Sequence, residues 1–242
     1  MPELNYIRCK SRSGTNLSKL PAFESRGITA EPVEKYLYNL LRPRDDVLIH
    51  LEEDADKNDI PIIGPVVGNF LSLLATSCNA KNILEIGTAT GYSGIWLGMV
   101  AKQNAGKLTT IEMDPSRAKI ASKSFEGAGL QDSIDLIIGD AKKEVPRITK
   151  SSAGKFDFVF LDVGQKSLYV DLLEDCVKAL RIRGYLTADN TLWTGKVASS
   201  ARDRDTTILR EFNKRVYADG RLLPSLVPIR DGVTIALKLK EN

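Results

Sequence analysis

Between Asn82 and Ala188 one pattern recurs: a short, predominantly apolar run, a turn, then a stretch with helical spacing. The runs Ile83–Ile86, Lys107–Glu112, Ile134–Ile138, Phe156–Leu161 and Tyr185–Ala188 read as strands. The segments Tyr92–Lys102, Pro115–Gly127, a short one after Asp140, Leu168–Arg181 and Thr206–Ala218 read as helices. Strands without a polar face, separated by helices, belong in a parallel sheet covered on both sides. Leu222–Val227 and Val233–Lys240, with Asp231-Gly232 between them, add two closing strands. The expected fold is therefore α/β: a doubly wound, mostly parallel seven-stranded sheet with an antiparallel C-terminal strand.

Helical spacing also precedes the sheet. Glu31-Pro32 opens a helix through Leu41, with proline in the first turn, where its missing N–H costs nothing. Asp45 and Asp46 start a second helix to Lys57. Pro61 to Gly68 reads as a turn-rich link, and Asn69–Ser77 as an apolar helix. The expected organisation is a basic leader over residues 1–30 and one domain over 31–242, a helical cap (31–78) on an α/β core (79–242). The leader's five basic and two acidic residues carry the whole net charge of +3. Such an arm suits nucleic acid or simply solvent. No apolar run reaches the roughly 20 residues of a membrane helix, and three cysteines without metal-ligand spacing point to reduced thiols, hence a cytoplasmic protein. His50, the only histidine, stands far from every motif below.

In open parallel sheets ligands bind beyond the carboxyl ends of the strands, and the chemically able residues of this chain stand there. Gly87 and Gly91 bracket the turn Glu85-Ile86-Gly87-Thr88-Ala89-Thr90-Gly91, where a side chain would obstruct a ligand or strain the backbone. The closely spaced glycines of a dinucleotide fingerprint are absent. Glu85 beside the turn disfavours a pyrophosphate and favours an ammonium, which selects S-adenosylmethionine. Ser93, at the following helix start, suits the carboxylate of that donor. Glu112 ends the second strand, where an acid accepts ribose hydroxyls, and Asp140-Ala141 ends the third, where a carboxylate and an amide read an adenine edge.

Asp162, Asp189 and Asn190 end two further strands. Two carboxylates and an amide oxygen are hard ligands suited to Mg²⁺ (or Ca²⁺ or Mn²⁺) and poorly suited to Zn²⁺, and three protein ligands leave room for water and two substrate oxygens. A turn after a strand and a helix cap are the competing accounts of the same residues. Trp193 and Thr194, just beyond, suit an acceptor pocket, with core packing the alternative for Trp193.

The stretches Leu84–Ser93, Phe156–Asp162 and Ala188–Gly195 together resemble the cation-dependent O-methyltransferases of the caffeoyl-CoA and catechol type. Gly64–Leu71 is similar to the family's approach to the cofactor, and Phe212-Asn213 with Asp231-Gly232-Val233 to its C-terminal signature; the resemblance covers roughly 31–240. It implies a Rossmann-like class I methyltransferase fold, a homodimer, and Ile63, Gly87, Thr88 and Asp162 among the groups around S-adenosylmethionine. It also implies that an acceptor hydroxyl loses its proton and attacks the sulfonium methyl in line, with Lys166 as general base and Asp162 beside it. The family's Asp-x-x-Lys-x-x-Tyr appears here as Asp162-Val163-Gly164-Gln165-Lys166-Ser167-Leu168-Tyr169, one residue longer. Either the loop bulges around Gly164 and Lys166 still arrives, or the base has moved. A glutamate near Thr234 that a catechol specialist would offer is missing. The expected activity is methyl transfer to a small phenolic with adjacent oxygens. A hydroxylated tRNA base as acceptor and a non-catalytic cofactor-binding protein are the alternatives.

Overall fold

The computed structural model describes residues 27–241; Cys9 and most of the expected basic leader lie outside them. Seven strands, β1 (Asn82–Ile86), β2 (Lys107–Glu112), β3 (Ile134–Ile138), β4 (Phe156–Leu161), β5 (Leu180–Ala188), β6 (Leu222–Val227) and β7 (Val233–Lys238), form one sheet in the order β3-β2-β1-β4-β5-β7-β6. The first five are parallel, and β7 runs antiparallel between β5 and β6.

Side chains alternate across a strand with period two, and the two cores follow from that. Ile83, Phe158 and Phe160 pack on one face, against α2 (Asp46–Asn58), α3 (Gly64–Ser77), α4 (Tyr92–Gln103) and α5 (Pro115–Gly127). Leu84, Ile86, Val159 and Leu161 pack on the other, against α6 (Ala141–Ser152), α7 (Ser167–Asp171), α8 (Leu173–Ala179) and α9 (Arg204–Ala218). Four of these helices begin on an aspartate whose side chain accepts a backbone N–H of the first turn: Asp45, Asp114, Asp140 and Asp203.

Several boundaries differ from the sequence expectation. The link expected to reach Gly68 is already helical from Gly64, because Pro65 falls in the first turn, where proline is tolerated. The helix after Asp140 continues through Pro146 to Ser152, held by its buried face of Ala141, Val145, Ile148 and Thr149. The single helix expected over 168–181 is two, α7 and α8, parted at Leu172 (φ −100°, ψ −2°). Strand β5 begins at Leu180, five residues early, with a shift in its pairing to β4 between Phe156 and Phe158.

The helical cap includes α1 (Glu31–Asn39) and is tied to the sheet's helices by a buried ion pair. Arg44 donates to both oxygens of Glu52 (Nε to Oε1 2.7 Å, an NH2 contact to Oε2 2.8 Å), and Tyr92, the first residue of α4, donates to Glu52 Oε1 at 2.7 Å. Among the described residues no helix is long and apolar enough to cross a membrane.

Candidate active site at the carboxyl ends of the strands

Strand register assembles the site. Ile86 pairs with Leu161 and Leu161 with Ala188, so the next residues, Gly87, Asp162 and Asp189, stand in a row across β1, β4 and β5. The amide of Asp162 donates to Ile86 O (2.9 Å) and that of Asp189 to Leu161 O (3.2 Å), which continues the ladder to the edge. Adjacent strands lie about 4.8 Å apart, close enough for the two carboxylates to feel one another. A cavity of about 550 Å³ opens above this row.

Ile63, Gly87, Thr88, Ser93, Glu112, Asp140 and Ala141, the residues expected to meet the donor, all line the cavity. Gly87 (φ 103°) and Gly91 (φ 93°) take the left-handed conformations that the turn requires. Both oxygens of Glu112 already serve backbone amides, Oε2 from Ala89 (2.8 Å) and Oε1 from Asp114 (2.9 Å), so this acid shapes the turn as well as facing the cavity. Asp140 accepts the N–H of Lys142 (2.9 Å) as the cap of α6.

Glu85 does not reach the cavity wall. It lies on the face of β1 shared with Ile83 and covered by α4, fully buried, with Thr110 Oγ1 donating to its Oε2 at 2.6 Å and Ser93 also bonded to it. Its Oε1 is buried without a hydrogen-bond partner among the described residues. Glu85 thus bonds to Ser93, which is in the wall. Burial pushes its pKa up to about 7, against the lowering effect of those two hydroxyls. A carboxyl raised in this way contributes stability that is complete below its unfolded pKa, near 4.3, and lost as pH rises through about 7. Glu85→Gln is accordingly expected to gain on the parent by up to about 3 kcal/mol at pH 8 and by nothing near pH 4. Denaturant titrations of the ligand-free proteins at several pH values measure this, and a gap independent of pH would contradict it.

At the acceptor side the structure brings together Asp162, Lys166, Asp189, Asn190, Trp193 and Thr194. Gly164 stands in open space, with nothing within 4 Å of where its Cβ would be, and Lys166 lines the cavity, only 4 % exposed. Its Nζ donates to Val163 O (3.0 Å), the Tyr169 hydroxyl (3.1 Å) and Asn190 Oδ1 (3.0 Å), and lies 5.2 Å from the Trp193 ring centre. Tyr169 passes the chain on to Asp189 O at 2.9 Å. Burial lowers the Lys166 pKa, while Asp162, Asp189 and Asp231 pull it back up. Burial raises Asp162 and, with Asp162 beside it, carries Asp189 up to about 7.

Asp189 bears on whether these residues suit a cation. Its Oδ2 accepts from Asn190 Nδ2 (3.1 Å) and faces Arg230 at 3.8 Å, whereas Oδ1 is buried with no partner among the described residues. No group of three or more His, Cys, Asp or Glu side chains poised for a metal occurs among the described residues. The set at hand is two carboxylates and an amide oxygen, one carboxylate oxygen being unused, which fits a hard ion completed by water and substrate oxygens.

Sequence reasoning missed much of the wall, three polar side chains among it. Tyr92 and Lys196 line it, as does Arg230, buried at 3 % exposure with φ 49°. Arg230 comes from the turn before β7, which the antiparallel pairing of β7 with β5 delivers to Asp189. The Asp231-Gly232 turn was the available signal, but turn residues alone do not tell which strand end they will meet.

The family described as O-methyltransferase matches residues 44–239. The catechol O-methyltransferase of Niastella koreensis is 37% identical over 215 residues, covering 86% of this chain and 96% of that one. Among solved structures, an O-methyltransferase from Bacillus cereus in complex with SAH has a TM-score of 0.77 at 28% identity, covering 89% and 99% of the two chains. TomG of Streptomyces achromogenes, an O-methyltransferase in complex with SAM, has a TM-score of 0.78 at 26% identity, covering 91% and 100%.

Proposed function

Because the chain belongs to the O-methyltransferase family, whose solved relatives carry SAM or SAH, we propose that it methylates an oxygen of a small phenolic acceptor with two adjacent oxygens, aided by a divalent cation. Mg²⁺ is the first choice of ion, held by Asp162, Asp189 and Asn190. The observation that carries this reading is the buried, unpartnered Oδ1 of Asp189 beside Asp162, at one end of a cavity whose other end is the glycine turn. The resemblance to a catechol O-methyltransferase along nearly its whole length supports the acceptor class.

Each residue then has a task. Gly87 and Ser93 seat the amino-acid end of the donor, Glu112 its ribose, Asp140 and Ala141 its adenine, and Ile63 covers it. Both ends belong to one cavity, so a donor bound at one would supply its methyl group to an acceptor at the other with proximity in place of a chance encounter. A bound divalent ion supplies a lowered pKa and a fixed position for a neighbouring hydroxyl. Lys166 takes the proton. As an ammonium it donates to three oxygens, and burial already favours its neutral form. The two carboxylates oppose that loss only while their own charge is unbalanced, so neutralising them releases the proton-accepting amine. Trp193 gives a flat acceptor a wall next to Lys166.

Transfer of labelled methyl from SAM to catechol tests this. The signal is expected to fall by about a hundredfold or more with EDTA and return with Mg²⁺, since the ion's contribution is several kcal/mol. SAH affinity should not change on chelation. Transfer that ignores EDTA removes the metal from the reading, and transfer to unmodified tRNA alone replaces the acceptor class.

A further inference from the structure

The rim over the acceptor end is a strap, residues 191–201, whose own hydrogen bonds are all local turns, such as Lys196 N to Trp193 O and Ala198 N to Gly195 O. Trp193 (φ 49°), Thr194 (φ 51°) and Gly195 (φ 76°) are three consecutive left-handed residues, followed by one short 3₁₀ turn, Lys196–Ala198. Side-chain residues adopt that conformation rarely, and a strained segment persists only when its surroundings over-determine it. The surroundings come in part from the turn before β7, where Asp231 accepts the amides of Thr194 and Leu192 and Gly232 that of Thr191, and in part from α9. The Arg210 guanidinium donates four hydrogen bonds, each to a strap carbonyl: Nε to Val197 (2.9 Å), one terminal nitrogen to Ala201 (2.6 Å), the other to Lys196 (2.9 Å) and Ser199 (2.6 Å). One turn further along the same helix face, Asn213 donates to Thr191 O at 2.8 Å. The strap is therefore gripped at its beginning by Asn213 and along its second half by Arg210.

We propose that Arg210 is a positioning residue for the acceptor: by gathering four carbonyls it fixes the strap so that Trp193 and Thr194 face the cavity. A planar fork with five N–H groups can serve all four carbonyls, whereas a lysine has three donors on one atom and must leave at least one carbonyl unserved. Arg210 touches neither the donor turn nor the carboxylate row, so its effect should be confined to the acceptor. The proposal rests on reading Trp193 and Thr194 as the acceptor wall.

The experiment uses Trp96→Phe as parent, which leaves Trp193 as the sole tryptophan of the two in the chain. Acrylamide quenching of Trp193 is expected to rise about threefold in Arg210→Ala and less in Arg210→Lys, with the Kd for SAH within about twofold of the parent in both. With catechol as acceptor, KM should rise about tenfold while kcat stays within about threefold. Unchanged quenching in Arg210→Ala overturns the proposal, as does a matching loss of SAH affinity, or a fall in kcat with KM unmoved. Should Arg210→Ala not fold, Arg210→Lys decides on the same readouts. A parent that binds SAH yet leaves catechol untouched counts against the acceptor class proposed above, and the quenching comparison then decides the role of Arg210.

Discussion

Asp189→Ala is expected to lower kcat by at least about a thousandfold and to leave the Kd for SAH within several-fold, because the ion and the positioned hydroxyl are worth several kcal/mol. The expected donor residues explain the second half of that result: they stand at the ends of β1 to β3 and the starts of α3, α4 and α6, and none of them is hydrogen-bonded to the Asp189 side chain. The first half follows from Oδ1, the buried carboxylate oxygen at this end with no partner among the described residues. Stability should suffer little at neutral pH, since burial and the neighbouring Asp162 already disfavour the charged carboxylate and raise its pKa to about 7. Asp189→Asn keeps the shape and removes the charge, and should fail in turnover alongside the alanine variant. Single-turnover assays at saturating SAM and Mg²⁺, with calorimetry for SAH, separate the two quantities. A variant that turns over like its parent would remove Asp189 from the reaction.

Gly87→Ala should destroy both halves of the site together. A methyl group at this position would lie 1.8 Å from the carbonyl oxygen of Asp162 and 2.8 Å from its carbon, and the backbone there holds φ 103°. No rotamer relieves a clash with a neighbouring strand's main chain. The turn must swing off β4, which moves Thr88 and Ala89 on one side and Asp162 on the other. The expected cost is about 3 kcal/mol or more of stability and about a hundredfold or more of SAH affinity. Gly195→Ala is the matched control: φ is 76° but nothing lies within 4 Å of the added carbon, so only a conformational cost of about 1 kcal/mol remains. Melting curves with and without SAH read both effects. An alanine variant that SAH still stabilises like the parent would show that the turn tolerates what the packing forbids.

The strands were legible because burial on both faces leaves few polar residues, as in Phe156–Leu161, where Asp157 is the exception, and because aspartates cap the helices that follow. The row of Gly87, Asp162 and Asp189 was legible for the same reason: residues that end parallel strands meet at one edge whatever the loops do. Helix ends were harder. Pro65 marks the inside of a first turn as readily as a link, and nothing local to Leu172 announces the break between α7 and α8. Glu85 was assigned to the ligand, yet its place inside β1, two residues from Ile83, puts it on the face under α4. Contacts between distant segments left the least trace. Arg210 reads as one more charge on an amphipathic helix, and Arg44 with Glu52 as a solvated pair, until the fold shows which carbonyls and which tyrosine they meet.

The backward run of β7 has a further meaning. Thr191 donates its amide and its hydroxyl to Gly232 O, 41 residues later, and Leu192 donates to Asp231 O. Synthesis on the ribosome delivers β1 to β3 and the glycine turn early, whereas the rim at Thr191 and Leu192 waits for the final hairpin. A nascent or clipped polypeptide lacking that hairpin would hold its donor at an unfinished mouth.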